Sequence, residues 1–310
     1  MEGPDGLLGL IREEAMKVRL RTLAVPVIGS MLPRVLVVVL LTCNTNAAFL
    51  QPSATRQNRQ DLEVRTLDLQ GNPATRVCYS YDQLLTLPTV TVKTERDPHT
   101  NTPATYTGIY LSDLFEAFGA DASIDVIGAN CIDGEKQYYD RDYVAKHRPI
   151  LLLKFDGKSP DDWPQTEDRN MLGPYYIVHE SFSPEETIYG YVEEPRIPYG
   201  VVSLELTRFA QSIGRFLPKE NANDPEVVKG QKIAVGSCIS CHSVGNAGGH
   251  LAPSWAVLAA TAVTSKDNFR KRVTDPRSFN PVSWMPPHPT FDDNTFNALE
   301  AYFTAMMPTE

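Results

Sequence analysis

Between about residues 58 and 208 the chain is dominated by short runs in which apolar and polar residues alternate. Leu62-Glu63-Val64-Arg65-Thr66-Leu67 and Thr89-Val90-Thr91-Val92 have the period of two that turns one face of a strand inward, and Gly71-Asn72-Pro73 is turn punctuation between them. Ser80 is placed to cap a short helix over Tyr81-Asp82-Gln83-Leu84-Leu85, which Leu87-Pro88 stops. A second short helix is expected from Ser112, with Leu111, Leu114, Phe115 and Phe118 as its apolar stripe and Gly119 as its end. Strands are expected again over 124–127, 150–155, 175–178 and 201–206. This mixture without an internal repeat predicts an α+β domain over 58–208.

The pattern changes after Phe209. Gly214, Pro218 and the polar run from Asn221 to Pro225 read as a linker over 209–224, ending at a helix start. From 225 to 310 the period is helical, and a final helix over 292–306 carries Phe296, Leu299, Tyr302 and Phe303 on one face. The first 47 residues read as an export signal. Met16-Lys17-Val18-Arg19-Leu20-Arg21 is its basic start, 35–41 its apolar stretch and Thr45-Asn46-Ala47 its cleavage site, with residues 1–15 as an over-long start. Arg34 splits the apolar stretch, so no transmembrane span is expected in the mature chain, and Thr42 is an awkward neighbour for lipid attachment at Cys43. The expected location is the periplasm, or another compartment outside the cytoplasm.

The 310 residues are 42% hydrophobic and 22% charged, with a net charge of -9. Residues 226–310 carry seven basic and seven acidic side chains, so the acidity belongs to the first domain and a nucleic-acid partner is not expected. The chemistry-bearing motif is Cys238-Ile239-Ser240-Cys241-His242. This is the pattern of covalent c-type haem attachment: two cysteines supply thioethers and the next residue, His242, an axial imidazole. No cysteine follows Cys241 to complete a zinc site, and the setting is helical rather than the βαβ unit of a redox dithiol. One covalent haem is therefore expected. Cys78 and Cys131 are either a disulfide or two buried thiols; the sequence leaves both open.

From 225 to the C-terminus the layout resembles the class I c-type cytochromes. The resemblance implies that Met285, forty-three residues after His242 in Ser283-Trp284-Met285-Pro286-Pro287-His288, is the second axial ligand, with His250 and His288 as weaker rivals. It implies that the Pro253 carbonyl accepts a hydrogen bond from the His242 ring, and that Gly230 is where the last helix, through Tyr302, crosses the first. Trp255 and Trp284 are expected to wall the haem. Arg270-Lys271-Arg272 reads as a solvated basic face or a docking patch for an acidic partner.

A second resemblance covers about residues 60–208. Tyr81-Asp82-Gln83-Leu84-Leu85-Thr86-Leu87-Pro88, Tyr106-Thr107-Gly108-Ile109-Tyr110-Leu111-Ser112-Asp113-Leu114-Phe115, Cys131-Ile132-Asp133-Gly134 and Leu172-Gly173-Pro174-Tyr175 resemble the molybdopterin-binding oxidoreductase domain of the sulfite oxidase family. The resemblance implies a molybdopterin cofactor whose metal is ligated by a cysteine from the loop before the Gly108 segment. Here that loop, about 93–106, holds Thr94, Glu95, Arg96 and His99 and no cysteine. Other polar residues read as surface: His99 in its Pro/Thr-rich loop, His147-Arg148 at a helix end, and His179-Glu180 after a strand, which could also line a pocket. The expected function is therefore an exported mono-haem electron carrier whose first domain docks a redox partner, such as a dehydrogenase, an oxidase or another cytochrome. The alternative is a sulfite dehydrogenase-like molybdenum enzyme that passes electrons to its own haem. Peroxidase chemistry would need an open axial position.

Overall fold

The computed structural model of the protein describes residues 50–218 and 220–307. The expected export signal and Cys43 lie outside them. The described residues fall in one compact unit, and among them no helix is long and apolar enough to cross a membrane.

The chain enters through β1 (Leu62–Leu67) and returns as β2 (Pro73–Tyr79). In the turn between them Gly71 has φ +84, where a side chain would be strained. α1 (Tyr81–Leu84) follows, closed at its start by a reciprocal box in which Ser80 and Gln83 bond each other's backbone amides. β3 (Val90–Thr94) and β4 (Ala104–Tyr110) form a hairpin, and α2 (Leu111–Ala117) buries Leu111, Leu114 and Phe115 as the apolar stripe required. A second hairpin, β5 (Val126–Cys131) and β6 (Lys136–Asp140), runs into α3 (Arg141–His147). β7 (Pro149–Phe155), β8 (Tyr175–His179), a two-residue ladder of β9 (Thr187–Ile188) and β10 (Tyr191–Val192), and β11 (Tyr199–Thr207) complete this half.

The sheet runs β2-β1-β11-β8-β7-β4-β3, with β5 on β11 and β6 on β5. All these pairings are antiparallel except β1 with β11. This is an α+β arrangement. β11 is the spine: nine residues, mostly buried, touching β1, β5 and β8. Two cores lie against the sheet, one under α1, α2 and α3 and one built on Tyr106, Leu152, Trp163 and Tyr176.

After β11 the chain turns helical. α4 (Pro225–Ser237) starts on the Asp224 cap, β12 (Ser243–Val244) and β13 (Ala247–Gly248) make a minimal hairpin, and α5 (Trp255–Thr264) and α6 (Lys266–Thr274) follow. α7 (Asp293–Met306) is capped by Asp292. α4 and α7 cross at Gly230, where a Cβ would stand 1.9 Å from the Ala298 carbonyl oxygen and 2.7 Å from the Tyr302 Cβ. Arg270 does not stand free on α6. Its guanidinium bonds Glu300 at 2.9 Å and Asp293 at 2.7 Å, which ties α6 to α7.

The stretch expected as a polar linker contains two 3-10 turns, Phe209–Gln211 and Ile213–Phe216, and is not wholly exposed. Phe216 is fully buried, its ring packs 4.6 Å from Trp255, and its carbonyl accepts the Tyr302 hydroxyl at 2.7 Å. Val126, Tyr138 and Tyr191 of the sheet half share one continuous core with Ile233, Trp255, Leu299 and Phe303 of the helices.

Replacing Gly230 by Val drives a side chain into backbone that has no room to yield. The expected cost is about 3 kcal/mol, read as a lower urea midpoint in equilibrium unfolding, whereas Gly119→Ala, with nothing within 4 Å, is penalised only by its positive φ.

Candidate functional site

Cys238-Ile239-Ser240-Cys241-His242 begins where α4 ends. The Cys238 carbonyl accepts the amides of Cys241 at 3.2 Å and His242 at 3.0 Å, so the motif is one tight turn. Cys238 and Cys241 carry free thiols, and burial pushes the Cys238 thiol up to about 12, far from a resting thiolate. The segment after the motif folds back over it: the Gly249 amide donates to Ile239 at 2.9 Å and the Ala252 amide to Cys241 at 3.1 Å. A side chain has no room here, since a Cβ on Gly249 would lie 1.7 Å from the Ser240 carbonyl oxygen.

His242 is buried, and its Nδ1 lies 2.6 Å from the Pro253 carbonyl oxygen. A carbonyl can only accept, so Nδ1 carries the proton and Nε2 is left with a free lone pair. Met285 is half-buried against the helical core, its amide 3.3 Å from the Ser283 hydroxyl. Trp255 is buried, and Trp284 is 82% exposed. His288 stacks on Phe291 at 4.7 Å, where burial lowers its pKa, and the His250 amide donates across to Gly134.

The residues present fit a covalently attached haem. The free thiols, the oriented imidazole and the half-buried thioether have the right chemistry for it. Leu251, Val257, Val282 and Trp284 are exposed apolar side chains near them in sequence, and the buried Trp255 Nε1 has no hydrogen-bond partner.

The sheet half reaches the motif directly. The tip of the β5–β6 hairpin lies on it: the Lys136 amide donates to Ser240 at 3.0 Å and the His250 amide to Gly134 at 2.9 Å. Below, the Tyr138 hydroxyl accepts the Gly248 amide at 3.0 Å. The Lys136 ammonium is buried and pairs with Glu205 of β11 at 2.6 Å. Burial pulls its pKa down, but the Tyr138 and Glu205 oxygens outweigh that and hold it above the ordinary lysine value. Lys136 does not stand out in sequence, because its partners are far along the chain.

The loop over 93–106 does not fit a molybdenum site. It offers no thiol, and its one fully buried carboxylate, Asp97, is already saturated. Asp97 Oδ1 accepts the amides of His99 at 3.0 Å and Thr100 at 2.8 Å, while Oδ2 accepts the hydroxyls of Tyr106 at 2.6 Å and Tyr176 at 3.2 Å. Burial, reinforced by the carboxylate, pushes both phenols far above their usual range, so they remain donors. An Asp two and three residues before free amides is the local signal that marks this turn in sequence. His99 is not exposed as expected: it is half-buried between Tyr176 and Tyr199, its Nε2 3.0 Å from the Ile197 carbonyl. Cys78 and Cys131 are buried free thiols, so no bridge joins them.

Glu135, beside the motif, titrates abnormally. Burial and the Asp133 charge outweigh a hydrogen bond from Gln137 and raise its pKa from 4.5 to about 6. The folded chain therefore holds this proton more tightly than the unfolded chain, so the stability it contributes is complete below pH 4.5 and is lost as pH rises through 6. Glu135→Gln is expected to stabilise the protein at pH 7.5 by about 1–2 kcal/mol and to leave it unchanged at pH 4, measured by urea unfolding at the two values.

Neither a family model nor a curated protein matches the chain. Among solved structures, the sulfane dehydrogenase SoxCD from Paracoccus pantotrophus is similar at 16% identity and a TM-score of 0.31, covering 50% of this chain. The chain spans 40% of the length of that protein.

Proposed function

We propose that the chain is a mono-haem c-type electron carrier whose sheet half is a fixed platform for the haem-bearing helices and for a redox partner. The observation that carries the reading is the His242 ring, turned by the Pro253 carbonyl so that Nε2 is free beside two free thiols. A haem held there would supply one-electron exchange between ferric and ferrous iron.

The chain's own residues would act as follows. Cys238 and Cys241, held in one turn at the end of α4, would hold a haem through thioether bonds. His242 offers Nε2 to the iron, and the Pro253 carbonyl keeps the imidazole from rotating. Met285 would offer a neutral thioether from a loop stiffened by Pro286 and Pro287, a ligand that favours ferrous over ferric iron. Packing of Trp255 against Phe216, Tyr302 and Phe303 keeps the wall behind the site dry. The clamp of Lys136 and Gly134 on the motif holds the site on the sheet half, so a partner docked on that half meets a haem at a fixed position.

Two variants test the assignment. Cys241→Ala is expected to leave at most one thioether and shift the α-band of the alkaline pyridine spectrum to longer wavelength. Met285→Leu is expected to keep both thioethers, lower the midpoint potential and let the ferrous protein take up carbon monoxide, which the parent does not. Unchanged potential and carbon monoxide uptake by the parent would remove Met285 from the iron.

A further inference from the structure

We propose that the tip of the β5–β6 hairpin, with the segment after the haem motif that it touches, is the docking surface for a redox protein whose contact face has an apolar centre ringed by lysine or arginine. The proposal rests on the haem reading and adds where the partner lands and what its chemistry is.

The centre of the surface is apolar and exposed. Ile132 is 73% exposed at the tip, and Leu251 is 46% exposed on the segment that folds back over the motif. They flank one contact: the His250 amide donates to the Gly134 carbonyl at 2.9 Å, and a Cβ on Gly134 would lie 4.0 Å from the Leu251 amide nitrogen. On the other side, a Cβ on Gly200 would stand 3.3 Å from Ile132 Cγ2, and the Gly200 amide donates to Leu172, the neighbour of exposed Met171. A single exposed apolar side chain needs no explanation, but these come from three segments far apart in sequence and are set around one turn.

The rim is acidic. Asp133 and Asp168 are exposed, and among the described residues neither forms an ion pair. Burial pushes the Cys241 thiol up, the Ser240 hydroxyl opposes it, and the Glu135 and Asp133 charges add to the rise. Burial likewise raises the Tyr199 phenol, with Asn170 opposing and the Asp133, Glu135 and Asp168 charges adding. No lysine or arginine offsets these charges at either group. Lys136, which follows in the hairpin, sends its ammonium to Glu205 of β11 instead, at 2.6 Å. A partner with matching cations gains a steered encounter, and the apolar centre holds the contact once water is expelled. A second copy of this chain, at a net charge of -9, would bring like charge to the rim. A protein seated on this surface lies beside Cys241, one of the two proposed haem anchors.

The probe is tris(phenanthroline)cobalt(III), a trivalent cation with an apolar surface, which takes one electron from the ferrous haem and becomes cobalt(II). Hexacyanoferrate(III), an anion, is the control. Oxidation of the reduced, haem-loaded chain is followed by stopped flow at about 0.1 M ionic strength, where only nearby charges act. Asp133→Asn removes the charge and keeps the oxygen that accepts the Glu135 amide at 2.9 Å. It is expected to slow the cobalt complex about fourfold and not to slow hexacyanoferrate(III). Ile132→Ser is expected to slow the cobalt complex about threefold and to leave hexacyanoferrate(III) unchanged. Glu116→Gln, which removes an exposed charge ahead of β5, at the end away from the tip, should alter neither rate. Equal cobalt rates in Asp133→Asn and the parent, or equal slowing by Glu116→Gln, would overturn the surface while the haem spectrum stays intact. A chain without covalent haem would overturn the haem reading and the surface with it. Self-association that Ile132→Ser abolishes would assign the surface to a second copy and overturn the choice of partner.

Discussion

The structure turns on the contact between the β5–β6 hairpin and the Cys238–His242 turn. A backbone amide of one half, Lys136, satisfies a backbone carbonyl of the other, Ser240, and the same lysine sends its side chain down to a buried ion pair with Glu205 on the central strand. Removing Glu205 would leave the Lys136 charge without its counterion in a low-dielectric interior, a cost of about 3–5 kcal/mol. Register in the sheet, the position of the hairpin tip and the path of the motif are therefore coupled. The Tyr138 hydroxyl under Gly248 and the shared core of Val126, Tyr138 and Tyr191 with the helices make the coupling mechanical as well as electrostatic.

This coupling bears on how such a chain would work. A haem domain on a flexible tether finds its partner by diffusion; the turn proposed to hold the haem is instead gripped by a neighbouring hairpin. The buried knot at Asp97 points the same way. The loop over 93–106, from which a metal-ligating cysteine was expected, closes on itself around a carboxylate with no spare acceptor. On the proposed reading, that half serves as a scaffold.

What could be read from sequence follows from how local each signal is. The Ser80–Gln83 box, the apolar stripe of α2, the Asp224 and Asp292 caps and the helices at both ends of the second half are written in adjacent residues, and the structure shows each of them. α2 begins at Leu111, one residue before Ser112, with Tyr110 rather than a side-chain cap at its start. Strands β2, β4 and β6 were hidden: β2 begins with four exposed edge residues, β4 follows a Pro/Thr-rich loop, and β6 opens on Lys136 and Gln137. His147 and His179 read as surface residues because a lone histidine carries no pattern. In the fold they pack around Tyr143, Glu193 and Phe182, because the end of α3 lies over β8. The burial of Phe216 is not legible locally for a similar reason, since its partners Trp255 and Tyr302 are distant in the chain.

Metal content per chain, measured on protein from a host competent to attach haem and to make molybdopterin, bears most directly on the central claim. The account predicts one iron that stays with the polypeptide after acid–acetone extraction, and no molybdenum or pterin. Iron that extracts freely, or a stoichiometric molybdenum, would contradict it.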